Sequence, residues 1–442
     1  MTPEDLLLAP PELTRVMWCD NAGLTRAKAV TRHALGSALR HGVGLSMGQQ
    51  ALPMMYDAVV EGSGLSAVGE VRLVPDLSTL TALPYAEGSS AALGDMRTLG
   101  GEPWAHCPRQ FARRQVEAIS ELGYSVLASF ENEFYLYGGH GPLDGGVYAS
   151  LESFEAAHPF TRSLLSALEA QGLTPEMYYP ESGPGQHELP IAPAAGLGAA
   201  DRQLLFKATV RAVACQHGLR ASFAAKPERS GAGSGCHLHL SLWRGDANAF
   251  HDADGALGLS LVARQAIGGV LAHLPGLCAL TVPSVHSYRR LQPGQWSGAY
   301  ACYGLDNREA SVRVTSTHLL PGAGGASTHF ELKTCDASAN PYLALGGLLA
   351  AVLDGLRRDL DPGAPLEVSP GTLSEQERAE AGIVRLPTSL PEALDALAQD
   401  EALQEALGPQ LARSFTAVRA AEAAYFAGED EETEWTRHRF AY

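Results

Sequence analysis

A short acidic turn at residues 181–188, ESGPGQHE, constrains this chain more than any other stretch. Glu181 and Glu188 bracket a Gly-Pro-Gly sequence, in which glycine permits backbone angles closed to other residues and proline fixes one dihedral. Such a turn can fold the chain back so that the two carboxylates converge. Two carboxylates held together repel each other unless a cation or a proton lies between them. The same sequence is also compatible with a surface turn carrying two solvated glutamates.

A second pair of acidic residues lies in the segment YSVLASFENEFYLY, which follows a predicted helix at 108–122 and is itself typical of a strand. Because side chains alternate between the two faces of a strand, Glu131 and Glu133 point the same way, opposite to Phe130 and Phe134. Burying unpaired carboxylates is costly. This face is therefore either exposed to solvent or part of a charged site.

A glycine-rich loop, GAGSG at 231–235, leads into the predicted strand CHLHLSL. The loop matches neither the phosphate-binding P-loop nor the dinucleotide-binding glycine motif. Strand alternation places His237, His239 and Ser241 on one face. One histidine there could be a buried core residue, but two histidines and a serine after a glycine loop favour a functional site.

Three arginines follow in SYRRLQPGQW and DNREASVRV: Arg290, Arg308 and Arg313. Turn and strand signals separate them, so they do not share one helical face. Arginine forks suit carboxylate and phosphate oxygens, although any one of these residues could equally be an ordinary surface arginine.

The segment THFELK predicts a further strand with His329, Glu331 and Lys333 on one face. With the two acidic pairs and the histidines, Glu331 completes an oxygen-rich set of ligands that suits Mg²⁺ or Mn²⁺ better than zinc. The set is large enough for two metal ions. Paired divalent ions with arginines are what phosphoryl transfer from ATP needs.

Composition narrows the class of protein. The net charge of -17 argues against a nucleic-acid partner, and seven scattered cysteines without a C-x-x-C pair suggest reduced thiols in the cytoplasm. The N-terminal sequence MTPEDLLLAPPEL has no basic region before an apolar one, so we expect no signal peptide. The long charge-free run at 265–288 is broken by histidine and proline, which indicates a buried helix and a loop rather than a membrane span.

Six motifs occur in an order that resembles the glutamine synthetase superfamily: ENEFYL, ESGPGQHE, GSGCHLHLSL, SYRRLQPG, DNREASVRV and FELKTCDASANPYLAL. The resemblance covers nearly the whole chain and extends to LVPDLSTL and GEPWAHCPR. It implies an α+β fold with a small N-terminal β-grasp domain at 1–101 and a large catalytic domain at 102–442, built from an antiparallel sheet and helices. It also implies ring-shaped homo-oligomers, often dodecamers, with active sites between neighbouring subunits.

The resemblance further implies a reaction in which ATP phosphorylates the side-chain carboxylate of glutamate and an amine displaces the phosphate. The implied ligands of a first metal ion are Glu133, Glu181 and Glu188. Those of a second ion, beside the ATP phosphates, are Glu131, His237 and Glu331. Glutamate would be held by Gly233 and Arg290, phosphate charge would be stabilised by Arg308 and Arg313, and the nucleotide side would include His239 and Ser241. Asp20, interpreted from the sequence alone as a turn residue, matches an aspartate that reaches the neighbouring subunit's amine site.

Three positions depart from the pattern of glutamine-forming relatives. Trp296 stands where those relatives have a glutamate that helps to hold and deprotonate ammonium; its ring can hold a cation or an apolar amine but cannot accept a proton. Members with tryptophan here resemble ligases for polyamines, ethanolamine or alkylamines. His329 replaces an ATP-side arginine, and Lys333 replaces an arginine that contacts the transferring group, keeping the charge without the fork.

These features predict a cytoplasmic, ATP-dependent and Mg²⁺- or Mn²⁺-dependent ligase that joins glutamate to an amine other than ammonia. Three alternatives stay open. A true glutamine synthetase would use ammonia, and a non-catalytic relative with a structural or regulatory role would explain His329 and Lys333. A metal-dependent hydrolase built on the His-x-His pair is disfavoured by the mid-chain position of that pair.

Overall fold

The computed structural model describes Leu8 and residues 11–442, so most of the sequence that bears on a signal peptide lies outside the described residues. The N-terminal part contains one sheet, ordered β2-β1-β6-β4-β3 with β5 on the edge of β6. Its strands are β1 (Leu13–Cys19), β2 (Thr25–Thr31), β3 (Val43–Ser46), β4 (Glu70–Pro75), β5 (Thr81–Ala82) and β6 (Ser89–Arg97). Among the strands of this sheet in the described residues, only β1 and β6 run parallel, and helix α1 (Arg32–His41) packs on β4. Strands β1 and β2 form an antiparallel hairpin around residues 20–23.

The second sheet is built around one long strand, β7 (Ser125–Gly138). Its order is β18-β15-β16-β17-β13-β7-β10-β9, and β8, β11 and β12 also pair with β7 while β14 pairs with β13. The other strands are β8 (Gly141–Pro142), β9 (Tyr179–Pro180), β10 (Gln186–Pro190), β11 (Ala194–Ala195), β12 (Arg220–Ser222), β13 (Cys236–Arg244), β14 (Ala247–Asn248), β15 (Tyr300–Leu305), β16 (Ala310–Val314), β17 (Phe330–Leu332) and β18 (Val384–Arg385).

The sheet departs from a fully antiparallel arrangement at one pair, because β15 and β16 run parallel. The link 306–309 returns the chain to the start of β15, so that Tyr300 lies opposite Ala310. The link begins at Asp306, which has a φ of 48°. Its side chain accepts from the Ser316 amide at 3.2 Å, which holds the residue in this conformation.

Helices precede, separate and follow the strands of this sheet. They are α2 (Pro108–Glu121), α3 (Leu151–Ala170), α4 (Gly198–Gln216), α5 (Leu261–Thr281), α6 (Ser287–Arg290), α7 (Pro341–Arg357), α8 (Glu375–Glu380), α9 (Leu390–Gln399), α10 (Glu401–Leu407), α11 (Pro409–Ala427) and α12 (Glu431–His438). Short 3₁₀ turns occur at Met47–Ala51, Leu77–Thr79, Ala256–Gly258, Ser316–Leu319, Gly325–Ser327 and Pro370–Thr372.

Helices α5 and α7 cross closely because glycines line the crossing. A Cβ added at Gly269 would lie 2.2 Å from the Ala351 carbonyl oxygen, so no side chain fits there. Of the helices in the described residues, α5 is long and apolar enough to cross a membrane, but 67% of its most apolar window is buried inside the protein. It therefore serves as a core helix, as its sequence predicts.

The start of α7 connects the two sheets. Asn340 caps the helix, accepting from the Tyr342 amide at 3.0 Å, with Pro341 at the first helical position. Its side-chain amide also donates to the carbonyl oxygens of Cys19 and Asp20 at the end of β1. One polar residue thus joins the N-terminal sheet to the core helix beneath the larger sheet.

Candidate active site

Strand pairing brings the predicted acidic residues and histidines onto one face of the larger sheet. In β7, Glu131 lies opposite His237 of β13, and Glu133 lies opposite Glu188 of β10. Because alternate residues share a face, the two glutamates of β7 face the same side. The expectation that these four side chains converge is therefore met by the backbone register alone.

One more strand adds the other predicted groups to this face. In β17, Glu331 lies opposite both His239 of β13 and Arg313 of β16. Arg313 Nη1 donates to Glu331 Oε2 at 3.0 Å, and Lys333 Nζ donates to Glu331 Oε1 at 3.2 Å. Glu331 is fully buried, so these two cations replace the solvent that would otherwise stabilise its charge.

The first half of the site centres on His237. Its Nδ1 atom lies 2.9 Å from Glu131 Oε1 and 3.1 Å from Glu331 Oε1. Its Nε2 atom accepts a hydrogen bond from Arg290 Nη2 at 3.0 Å, so Nδ1 carries the proton and donates to Glu131. Burial and the nearby Lys333 ammonium lower the pKa of His237 to about 4, which keeps this imidazole neutral.

Two glutamates in this half stay ionised despite their burial. Burial alone would raise the pKa of Glu131, but the hydrogen bond from His237 and the nearby His239 imidazole bring it well below the usual range. Burial opposes ionisation of Glu331 in the same way, and the Lys333 ammonium outweighs it, lowering the pKa to about 2.

The second half of the site holds carboxylates without cationic partners. Burial raises the pKa of Glu133 to about 7 and that of Glu188 well above its usual value, and neighbouring carboxylates add to both effects. The pKa of Glu181 is also raised, mainly by burial. Glu181 keeps local support, because the Ser182 amide donates to its Oε2 at 2.9 Å. The sequence-based expectation of converging, mutually repelling carboxylates describes this half.

The donor set fits divalent metal ions. Ligand atoms of Glu131, His239 and Glu331 all lie within 4.8 Å of one another. His239 Nε2 is buried without a hydrogen-bond partner, so it has a free position for a ligand. Carboxylate oxygens with one or two imidazoles suit Mg²⁺ or Mn²⁺. His239, predicted on the nucleotide side, thus lies with the metal-ligand group.

Arg290 lies at the base of the site on α6. It is 4% exposed, and its guanidinium also donates to the carbonyl oxygens of Cys335 and Lys333, at 3.3 and 3.2 Å. The glycine loop packs directly on it, because a Cβ added at Gly233 would lie 2.6 Å from Arg290 Cγ. Only glycine allows this loop to approach the arginine so closely.

A cavity of about 380 Å³ opens beside the first half of the site. Its lining includes Glu131, His239, Ser241 and His329 together with the exposed side chain of Met177. Burial, with the adjacent His239, lowers the pKa of His329 to about 4, so this side chain is neutral where an arginine would carry a charge. The cavity places the residues predicted for the nucleotide next to those predicted for a metal ion.

Family models divide the chain into the same two parts as the fold. The model described as the glutamine synthetase N-terminal domain matches residues 3–104, and the model described as the glutamine synthetase catalytic domain matches residues 105–438. The chain belongs to the glutamine synthetase family. It is accordingly an ATP-dependent ligase of nitrogen metabolism, and its α+β fold with a β-grasp domain is that of the family.

Curated relatives of this glutamine synthetase family member include both a gamma-glutamylpolyamine synthetase and glutamine synthetases. It is 37% identical over 435 residues to gamma-glutamylpolyamine synthetase of Streptomyces coelicolor, covering 96% of this chain and 92% of the relative. It is also 35% identical over 400 residues to glutamine synthetase of Thermotoga maritima, covering 88% and 89%. Membership alone therefore leaves the amine undecided.

Solved structures show the same fold over nearly the whole chain. A crystal structure of a glutamine synthase homolog matches with a TM-score of 0.88 at 35% identity, covering 98% of this chain and 99% of that one. A complex of GmaS with ADP matches with a TM-score of 0.84 at 28% identity, covering 98% of each chain.

Three predicted residues of this family member lie away from the carboxylate face. Asp20 is fully buried at the β1–β2 turn, where Arg26 Nε donates to it at 2.5 Å and the Leu24 amide at 2.9 Å. Trp296 is 63% exposed on the loop after α6, and the Arg308 guanidinium lies 5.9 Å from its ring centroid. Their predicted roles, toward a neighbouring subunit, the amine and the phosphate, stay predictions.

Two polar residues contact the carboxylates although the sequence analysis did not single them out. Gln186 Nε2 donates to Glu133 Oε2 at 2.8 Å and to the Gly233 carbonyl at 2.9 Å, joining β10 to the glycine loop. The Tyr179 hydroxyl donates to Glu188 Oε1. Gln186 could have been found, because it lies two residues before Glu188 in a strand and so shares its face.

Proposed function

We propose that this ligase joins the side-chain carboxylate of glutamate to an organic amine, in the class of polyamines, ethanolamine and alkylamines, rather than to ammonia. The observation that carries the proposal is Trp296, a 63% exposed aromatic ring on the loop that follows Arg290. An exposed indole offers a face to a cation or an alkyl chain. It also stands in place of the glutamate that helps to hold ammonium in glutamine-forming relatives. The similarity to a gamma-glutamylpolyamine synthetase supports it.

In this proposal two divalent ions bind the site. One ion would be held by Glu133, Glu181 and Glu188. The other would be held by Glu131, His237 and Glu331, and His239 lies beside this second set. Bound Mg²⁺ or Mn²⁺ supplies positive charge that neutralises phosphate oxygens.

The chain's own residues orient the substrates. Arg290, with Gly233 packed against it, binds the α-carboxylate of glutamate through its fork. Arg313 and Lys333, both in contact with Glu331, face the transferring phosphoryl group, and Arg308 adds charge from the loop side. His239, Ser241 and His329 line the nucleotide cavity.

The reaction then proceeds in two steps. A glutamate side-chain oxygen attacks the terminal phosphorus of ATP, which forms an acyl phosphate and releases ADP. The nitrogen of the neutral amine attacks the acyl carbon, and phosphate leaves with the bonding electron pair. The proton released by the amine passes to a carboxylate, for which we propose Asp20 of a neighbouring subunit in a cytoplasmic ring. The family resemblance implies that this ring is a dodecamer.

The test is ADP release with ATP, glutamate and Mg²⁺ or Mn²⁺, comparing ammonia, methylamine, ethanolamine and a set of polyamines. We expect an organic amine to stimulate release while ammonia is inert. The variant Trp296→Glu should shift preference toward ammonia. Its matched control is Gln295→Glu, which adds the same charge to the exposed neighbouring position and keeps the ring.

Other outcomes favour the remaining candidates. Equal or better use of ammonia would identify a true glutamine synthetase, the activity named for the Thermotoga maritima relative. The absence of ADP release with every amine, together with no calorimetric signal for ATP in the presence of Mg²⁺, would identify a non-catalytic family member.

A further inference from the structure

The loop that carries Trp296 has a backbone conformation that needs external support. Gly294 and Gly298 have φ values of 72°, which glycine adopts without strain, but Trp296 has a φ of 53°. A bulky aromatic residue in the left-handed region is an outlier that is strained and persists only when its surroundings fix it. The carboxylate of Glu309 supplies that support.

Glu309 accepts two hydrogen bonds from this loop, one with each carboxylate oxygen. The Gly294 amide donates to Oε2 at 3.1 Å, and the Trp296 amide donates to Oε1 at 2.9 Å. Bonds from amides to a carboxylate are about twice as strong as bonds between neutral groups. The carboxylate therefore holds the strained residue and the glycine two positions before it.

Glu309 is itself fixed by its neighbours. Its amide donates to Asn307 Oδ1 at 3.1 Å, and Asn307 Nδ2 donates to the carbonyl oxygens of Leu366 and Val368, both at 2.9 Å. The adjacent Arg308 lies over the Trp296 ring. Neighbouring residues of one turn thus contact the loop backbone and the indole.

We infer that Glu309 is a positioning residue for amine selectivity, which acts by holding Trp296 in the left-handed conformation that leaves its ring exposed on the loop after Arg290. This inference rests on the proposed function for its effect on amine choice, but the hold on the loop is independent of it. An amide in place of the carboxylate keeps one acceptor oxygen and turns an NH₂ group toward a backbone N–H. The loop then loses one of its two bonds and the charge that strengthens both.

The decisive experiment is a double-mutant cycle of Glu309→Gln and Trp296→Ala, with Glu367→Gln as an exposed control of the same chemistry. We expect Glu309→Gln to raise KM for the preferred amine about tenfold, with kcat and KM for ATP within about twofold. In the Trp296→Ala background, Glu309→Gln should add less than about twofold, because its effect passes through the ring. Additive effects, or a uniform loss of kcat, would overturn the inference.

Fluorescence separates this inference from the proposed function. The emission of Trp296 is obtained by subtracting the spectrum of Trp296→Phe from that of its parent, in the wild-type and Glu309→Gln chains. We expect Glu309→Gln to alter its wavelength and its quenching by iodide, whichever amine is used. Unchanged Trp296 emission would refute the hold on the loop. If Trp296→Ala changes no amine parameter while the emission does shift, the proposed function fails and the hold on the loop stands.

Discussion

Two clusters of buried carboxylates in this molecule have opposite electrostatic characters. Where α2 meets the N-terminal sheet, Arg109 donates to Asp201 at 2.9 Å, to Asp95 at 2.7 Å and to Asp76 at 2.8 Å. Arg113 adds a bond to Asp95 at 3.0 Å. Every carboxylate in this cluster contacts a guanidinium, so burial is compensated within the protein itself.

The carboxylate face of the larger sheet is different. Within the described residues, Glu133, Glu181 and Glu188 contact no lysine or arginine side chain, and their pKa values are all raised. A cluster that neutralises itself contributes to the fold, whereas one left with excess negative charge has stability to gain from a bound cation. The contrast distinguishes a structural ion network from a binding site without reference to any relative.

The largest expected effect comes from removing a carboxylate of the uncompensated cluster. Glu181→Ala should lower kcat about 1,000-fold or more, because it removes a proposed metal ligand and a charge needed for phosphoryl transfer. Its unfolding midpoint without metal should not fall, because like charges surround the carboxylate. Mn²⁺ should raise the midpoint of the wild type and raise that of the variant much less. Near-normal ADP release would contradict the proposed role.

The compensated cluster should respond in the opposite way. Arg109→Met leaves Asp76, Asp95 and Asp201 without their shared cation and should lower the free energy of unfolding by about 3–5 kcal/mol. Arg114→Gln, an exposed neighbour on the same helix, should change it by less than about 0.5 kcal/mol. The folded fraction of Arg109→Met should keep its KM for ATP. A denaturant midpoint unchanged by Arg109→Met would show that the two clusters do not differ as described.

A smaller effect is expected where the compensating cation can titrate. His273 Nδ1 lies 2.8 Å from Asp400 Oδ2 and its Nε2 lies 2.8 Å from Asp354 Oδ2, which Arg358 also contacts at 2.9 Å. Burial alone would lower the pKa of His273, but the two aspartates raise it above its usual value. Its charged form therefore stabilises the fold fully below the unfolded-state pKa of about 6.5, and this stabilisation is lost as pH rises through the higher folded-state pKa.

The measurement is the thermal midpoint of His273→Gln and wild type across the pH range from about 6 to 9. The difference between them should be greatest at the acidic end and should shrink toward alkaline pH. His33→Gln, at an exposed histidine, should show no such trend. A difference that stays constant with pH would mean that His273 contributes packing rather than charge.

The sequence was sufficient for those parts of the fold that depend on local patterns. Alternation along β7 and β13 placed Glu131, Glu133 and His237 on one face, and the bounds of these strands agree with the predicted segments. The family resemblance supplied the architecture and the ligand set that is proposed above. The start of α7 at Asn340-Pro341 also has a local signature, because proline suits the first helical position.

Other features could not be predicted because they depend on distant residues. The free nitrogen of His239 results from its position against Glu131 and Glu331, which only the pairing of three strands defines. The left-handed conformation of Trp296 has no local signal, because tryptophan does not favour it. The pairing of Glu309 with the loop amides likewise requires the turn that returns the chain to β15.

The long strand β7 also sets the order in which the molecule can mature. Glu131 meets His237 only after 106 further residues, and Glu331 joins through β17 later still. Contacts between such distant segments form slowly, because loop closure must precede them. During synthesis the N-terminal sheet can assemble while β7 still has an unpaired edge, because its partner strands have not yet been made. The carboxylate face is therefore a late product of folding, and a nascent chain exposes the long strand β7 before the residues of this face come together.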